Sequence, residues 1–359
     1  MSVHFEKASV KDIRRETADC VSVSFTIPAS LQPAFAYREG QYLTLRASIN
    51  GEEVRRSYSL CSSPLEQEWR IAVKEVPGGL FSTYINQSLQ PGDAIELMPP
   101  MGKFHTTLDA GHRKKYVGIA AGSGITPIIS IIKTILQTEP ASSFTLVYGN
   151  RTRHSIIFKE ELEALKNKYM HRFSIIHVLS REITDATLNT GRIDAAKCDQ
   201  LFNLNRMVDS NSDEFFICGP EDMIFCVKSF LLGKNIDGKK IHIELFTTES
   251  GKRAAAPQHS AADNEPASMV TVKLDGNSLD FKLDYNGENI LDAAMHHGLD
   301  VPYSCKAGVC CTCRAKLVSG TVEMDVNYGL EPEEIAAGFI LTCQSHPTSE
   351  NVVVDFDAR

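Results

Sequence analysis

The stretch PYSCKAGVCCTCRAKL (residues 302–317) puts four cysteines into nine residues. Cys305, Cys310 and Cys313 stand at C-x4-C-x2-C, and Cys343 follows thirty residues after the last of them. A short loop with that spacing wraps three thiolates around a [2Fe-2S] cluster while one remote cysteine closes the cage. Gly308, between the first two, permits a sharply turned backbone whose N–H groups can donate to sulfide. Cys311 falls between ligand positions, where its side chain is expected to point away, and reads as a non-ligand. The competing reading is a four-cysteine zinc site, but zinc ribbons favour paired C-x2-C units and only one such pair is present. The opening residues MSVHFEKASV carry early charge and no apolar run, so no secretory signal is expected. The cytoplasmic location that follows keeps thiols reduced, which favours metal binding over disulfides. Cys20, Cys61, Cys198, Cys218 and Cys226 are scattered and default to buried packing.

Outward from the cluster motif, charge separates the tail from the rest. Residues 269–359 hold six Lys/Arg against fourteen Asp/Glu, a net −8 that equals the charge of the whole chain, so the other residues sum to zero. An acidic module repels nucleic acid and suits docking on a basic protein face. No apolar run approaches the ~20 residues of a membrane span, which leaves no membrane role. The tail is set off by TTESGKRAAAPQHSAADNEPAS (residues 247–268), which lacks aromatic and branched aliphatic residues and reads as a tether. A softer seam lies at Leu108–Tyr116.

At 359 residues the chain is too long for one ordinary core, and the patterning gives three modules. Residues 1–108 contain the short alternating runs SVSFTIP, QYLTLRAS, RRSYSLCS, WRIAVKEV and DAIELMPP between turn residues, the pattern of a small antiparallel β-barrel. Residues 109–246 alternate buried apolar strands (YVGIAAG, FTLVYGN, FSIIHVLS, EFFICG, IHIELF) with helical stretches, which implies a parallel α/β sheet covered on both faces. Residues 269–359 return to strands, MVTVKLDG and SLDFKLD, and then a helix through NILDAAMHHG.

Four further stretches carry candidate binding residues. In RRSYSLCSS (55–63), Arg56 can pair with a diphosphate, Tyr58 can cover a flavin face and the Ser59 hydroxyl can reach a ring nitrogen. GGLFSTYI (78–85) places Gly78, Gly79 and Ser82 at a helix start, a natural anion site. GIAAGSGITPIISII (118–132) follows a buried strand and opens a helix, with Gly122, Gly124, Thr126 and Pro127 at the turn; the glycines let the backbone approach a pyrophosphate, and Pro127 in the first helical turn costs no hydrogen bond. FFICGPEDM (215–223) sets Cys218 and Gly219 at the C-terminal end of another strand, where open parallel sheets bind ligands. Each motif alone has an ordinary structural explanation as a turn or a packing residue. His296 and His297 belong to no acid–base constellation.

Taken in order, these stretches resemble the ferredoxin–NADP reductase family over about Val3 to Phe246, and the tail resembles plant-type ferredoxin domains over about ninety residues. The resemblance implies an FAD-binding barrel, a nicotinamide-binding α/β domain and a β-grasp ferredoxin domain. It further implies that Arg56, Tyr58, Ser59, Gly79 and Ser82 hold FAD, and that Gly122, Gly124, Thr126 and Gly219 receive the dinucleotide. Cys218 would lie by the nicotinamide ring, and Glu244 and Phe246 of IHIELF near the flavin. Ser180 and Arg181 in HVLSRE match the pair with which that family holds a 2′-phosphate. Arg151 and Arg153 in VYGNRTR add positive charge where a bare ribose would favour a carboxylate, so NADPH is expected, with NADH possible.

The order of modules describes an electron relay from hydride donor to one-electron carrier. A ferredoxin at the C-terminus resembles reductase components of multicomponent oxygenases, and GNRTRHSIIFKEELEALKNKY with CGPEDM resembles those serving di-iron oxygenases of aromatic catabolism. The implied partner is an oxygenase component. A hydroxylase or desaturase partner stays open, as does a redox sensor or scaffold that is reduced once and does not turn over.

Overall fold

The computed structural model describes residues 4–184, 186–203, 212–246 and 267–358. They divide into two compact units, one of Lys7–Glu52 with Tyr58–Phe246, the other of the described parts of Met1–Glu6, Glu53–Ser57 and Thr247–Arg359. The tether expected over residues 247–268 lies outside the described residues except for Ala267 and Ser268, which begin a strand.

The N-terminal sheet contains β1 (Glu6–Thr17), β2 (Cys20–Thr26), β3 (Tyr42–Ile49), β4 (Glu52–Ser59), β5 (Trp69–Lys74) and β6 (Ala94–Leu97), in the order β4-β3-β6-β1-β2-β5. Its two ends meet where Leu60 bridges Ile71 and Cys61 N donates to Arg70 O at 2.8 Å, which closes the sheet into the expected barrel. Helix α1 (Leu80–Gln87) packs Phe81 and Ile85 inward. Strand β1 was not foreseen. Its sequence EKASVKDIRRET is mostly polar, and register shifts at Val10/Asp12 and Arg15/Thr17 break the alternation by which a strand is read.

The second sheet contains β7 (Lys115–Ala121), β8 (Ser143–Asn150), β9 (Phe173–Leu179), β10 (Glu214–Gly219) and β11 (Ile241–Leu245), in the order β11-β10-β7-β8-β9 with every pairing parallel. The crossover helices are α2 (Ile125–Thr138), α3 (Lys159–Lys168), α4 (Ala195–Asn203) and α5 (Glu221–Gly233). Helix α2 is apolar nearly all round, with Ile125, Ile128, Ile129, Ile131, Ile132 and Ile135 fully buried, as a helix between sheet and barrel must be. Because the chain runs outward from β7 to β9 and then returns to place β10 on the other side of β7, the strand order reverses between β7 and β10. Such a switch point leaves a crevice at the C-terminal strand ends.

The third fold contains β12 (Ala267–Leu274), β13 (Asn277–Asp284), β14 (Arg314–Ser319), β15 (Val322–Met324), β16 (Phe339–Leu341), β17 (Ser345–Pro347) and β18 (Asn351–Asp355). Five form a mixed sheet, β13-β12-β18-β14-β16, in which only β12 and β18 are parallel, and β15 pairs with β17. Asp275 and Gly276, both at positive φ (55° and 73°), make the two-residue turn joining β12 and β13. Helix α6 (Ile290–His296), capped by Asn289 Oδ1 accepting from Asp292 N, lays Ile290, Leu291, Ala293 and Ala294 on the sheet. The short helix α7 (Pro332–Ala336) leads into β16. This is the expected β-grasp. Among the described residues no helix is long and apolar enough to cross a membrane.

Candidate functional site

The end of β4 places the first group of candidates. Arg56 and Tyr58, two apart on a strand, share one face. The Tyr58 ring lies 6.0 Å from Phe81 of α1, and Arg56 Nη1 donates to the Arg55 carbonyl. Ser59 Oγ donates to Glu244 Oε2 at 3.1 Å, which joins the end of β4 to β11. Glu244 is half-buried. Desolvation pushes its carboxyl up to about 8 against the single opposing bond from Ser59. Phe246, half-buried, packs on the core beneath α2. Gly79 caps α1 without a side-chain bond, so the first N–H groups of that helix keep donors for an anion. The Ser82 hydroxyl accepts from Val76 N (3.1 Å) and donates to Gly79 O (3.2 Å), shaping the turn that presents those donors.

The second group meets at the switch-point crevice. Gly124 touches the end of β10 so closely that a Cβ there would stand 2.2 Å from the Cys218 carbonyl oxygen and 2.7 Å from Gly219 N. Only glycine allows that approach. Gly122, at φ +54°, faces open space, and its carbonyl accepts from Tyr148 Oη at 3.0 Å. Thr126 Oγ1 donates to Ser123 O (3.0 Å) and holds the turn that opens α2. Cys218 is fully buried, and burial together with the Glu244 carboxylate raises its thiol well above the ordinary range. The turn after β7, the end of β10 and the Ser59–Glu244 pair are thus linked contact by contact within one compact unit, since Gly124 abuts Cys218, Cys218 lies beside Glu244 in the sheet and Glu244 bonds Ser59.

Further along the same strand ends, Ser180 N donates to Asn150 O and Arg181 N to Arg151 O, both at 2.9 Å. This zips together the segments after β8 and β9 and brings Arg151, Ser180 and Arg181, all exposed, to one edge. Arg153 instead pairs with Glu182 at 3.5 Å.

The cysteines come together two by two. Cys310 Sγ donates to Cys305 Sγ at 3.1 Å, and Cys313 is hydrogen-bonded to Cys343. Among the described residues no group of three or more His, Cys, Asp or Glu side chains is arranged to hold a single metal ion. Four thiols in two pairs suit a binuclear cluster, in which each iron takes two thiolates, better than one tetrahedral zinc. The bond from Cys310 draws the Cys305 thiol down to about 6, helped by the backbone N–H groups of Ala307, Cys310 and Val309. Cys343 is likewise lowered, first by Cys313 and then by Gly308 N–H and Gln344. Gly308, at φ +70°, could not carry a Cβ, which would meet Val326 O at 2.7 Å. The loop therefore turns its N–H groups inward onto sulfur, as a cluster of negative charge requires.

Two residues were missed by sequence reading. Arg55, 5% exposed, pairs with Asp300 Oδ1 (2.7 Å), lies 4.2 Å from the Tyr303 ring centroid, and so braces the segment leading to Cys305 within the cysteine-bearing unit. Gln344 sends its amide toward both Lys306 O and Cys343 Sγ. Neither a second arginine in a strand nor a glutamine after a cysteine carries a signal of its own.

Residues 7–106 match the oxidoreductase FAD-binding domain family, residues 119–229 the oxidoreductase NAD-binding domain family and residues 272–348 the 2Fe-2S iron-sulfur cluster binding domain family. The chain is 44% identical to one of the subunits of 1,2-phenylacetyl-CoA epoxidase from Escherichia coli K12, covering 99% of this chain and 98% of that protein. It is 36% identical to the ferredoxin reductase component of 3-ketosteroid-9-alpha-monooxygenase from Rhodococcus rhodochrous, over 97% and 96% of the two. In fold it is similar to phthalate dioxygenase reductase, described as a modular structure for electron transfer from pyridine nucleotides to [2Fe-2S], with a TM-score of 0.59, 23% identity and 98% of each chain covered.

Proposed function

The chain belongs to the FAD-, NAD- and [2Fe-2S]-binding reductase components of oxygenase systems, and from that premise we propose that it passes electrons from NADPH to the di-iron oxygenase of phenylacetyl-CoA epoxidation in phenylacetate degradation. The observation that carries the specific reading is the 44% identity to the phenylacetyl-CoA epoxidase component along the full length of both proteins. The 36% identity to a ketosteroid monooxygenase component keeps a different oxygenase as the second reading. A cytoplasmic location fits both.

FAD, when bound, supplies the exchange between two-electron hydride chemistry and one-electron iron–sulfur chemistry. The residues have simpler tasks. In this reading Arg56 and the open N-terminus of α1 hold the flavin's diphosphate, and Tyr58 covers its ring. The Gly122–Thr126 turn offers N–H groups to the dinucleotide pyrophosphate, while Cys218, its thiol raised well above the ordinary range by burial, forms a neutral floor beside the nicotinamide. Glu244, with its carboxyl at about 8, keeps a proton at neutral pH next to Ser59 and so would add no negative charge beside a bound flavin. Arg181 and Arg151, with Ser180, recognise the 2′-phosphate that distinguishes NADPH. Cys305, Cys310, Cys313 and Cys343 ligate the cluster, which faces the oxygenase from an acidic module.

The test is reconstitution of the purified chain with the oxygenase components of a phenylacetyl-CoA epoxidase. NADPH-dependent epoxide formation with sustained turnover is expected. Sustained reduction of cytochrome c without any epoxide would assign the chain to another oxygenase, and a single reduction without turnover would make it a sensor.

A further inference from the structure

Gln344 follows the remote cysteine, and its side chain lies among acceptors. Its Nε2 donates to Cys343 O (2.8 Å) and Lys306 O (3.2 Å), and stands 3.7 Å from Cys343 Sγ. All three neighbours accept and none donates, so the amide is oriented nitrogen-first. The residue is also fixed from behind, because its backbone carbonyl accepts from Asp325 N at 3.0 Å. A Cβ on Gly308 would lie 3.2 Å from Gln344 Cγ, so the stem of the glutamine packs against the cysteine loop at its sharpest turn. Lys306 belongs to that loop and Cys343 to the distant segment after β16. One side chain therefore ties the two halves of the thiolate cage together.

We propose that Gln344 is a positioning residue that staples the Cys343 arm to the 305–313 loop and, by aiming an N–H at the Cys343 sulfur, raises the reduction potential of the cluster. The inference rests on the reading of Cys343 as a cluster ligand. The reduced cluster carries one more negative charge, so a donor at a ligand sulfur stabilises it more than the oxidised form, and removing the donor makes the cluster harder to reduce. The staple has a second effect. Without it, the remote ligand is held to the loop by fewer bonds, and the cage opens more readily.

Two variants of the full-length, cofactor-loaded chain separate these effects. Gln344→Met keeps the length of the side chain and removes the donor, whereas Gln344→Glu keeps the shape and adds an acceptor facing acceptors. The midpoint of the cluster, read by EPR during a redox titration, is expected to fall in Gln344→Met enough to shift the electron's partition about three- to tenfold, roughly 30–60 mV for one electron, and to fall further in Gln344→Glu. Cluster bleaching by an iron chelator should be faster in both, with FAD content unchanged. Midpoints equal to wild type in variants that retain their iron would overturn the proposal. Should Gln344→Met fail to load, Gln344→Glu and Gln344→Asn supply the same reading. Wild-type protein without iron and labile sulfide would instead overturn the underlying ligand assignment.

Discussion

Gly124→Ala probes the dinucleotide site through a single added carbon. The new Cβ would stand 2.2 Å from the Cys218 carbonyl oxygen, 2.4 Å from its carbon and 2.7 Å from Gly219 N. All three are backbone atoms at the end of a central strand, so no rotamer change relieves the overlap. The first turn of α2 must lift away from β10 by about 1 Å to restore ordinary contact distances. Overpacking of this kind costs about 1–3 kcal/mol, and a misplacement of about 1 Å at a reacting centre can cost about a hundredfold in rate. Reduction of the flavin by NADPH, followed by stopped-flow absorbance, is therefore expected to fall about a hundredfold in kcat/KM, while FAD content and dithionite reduction of the cluster stay at wild-type levels. Gly233→Ala is the matched control, since Gly233 lies in α5 with nothing within 4 Å of the added carbon. It should leave hydride transfer unchanged and stabilise the chain by up to ~1 kcal/mol. Wild-type flavin reduction in Gly124→Ala would refute the close approach of α2 to β10 as the device that shapes the site.

Other consequences can be checked singly. Arg181→Ala should raise KM for NADPH at least about tenfold, the loss of one charge-assisted bond, and leave KM for NADH nearly unchanged; equal effects on both would remove Arg181 from the phosphate site. Glu244, raised from an ordinary 4.5 to about 8, favours the folded state fully when protonated. Its stabilising contribution is complete below pH 4.5 and is lost as pH rises toward 8, with a limiting slope of about 1.4 kcal/mol per pH unit. Melting curves of the Glu244→Gln protein should lack that decline, and a wild-type-like decline in the variant would place the titration elsewhere. Cys343→Ser should abolish the cluster while FAD remains bound and reducible by NADPH, as measured by visible absorbance before and after addition of the nucleotide.

Much of this was legible in the sequence because its signals are local. The C-x4-C-x2-C loop, the glycine turn before α2 and the alternating runs of the barrel each lie within a few residues, and each element formed where its pattern placed it. Strand β1 escaped because two register shifts destroy its period, and α4 because its apolar face is reduced to Cys198 and Leu201 with Lys197 buried beside them. The contacts that complete the sites span long separations. Ser59 and Glu244 are 185 positions apart, and Gln344 reaches Lys306 across 38. Glu244 was reached only through family resemblance. Arg55 was overlooked for Arg56 beside it, since only the folded chain shows that one of the two is buried against Asp300 and Tyr303.

The central claim is that this chain carries a nicotinamide's electrons through a bound flavin to a binuclear iron–sulfur centre. Anaerobically purified protein should contain iron and acid-labile sulfide in the two-to-two ratio of its C-terminal family, together with FAD, and NADPH alone should raise the EPR signal of a reduced [2Fe-2S] cluster. Zinc in place of iron, or iron that NADPH leaves oxidised in FAD-replete protein, would contradict it.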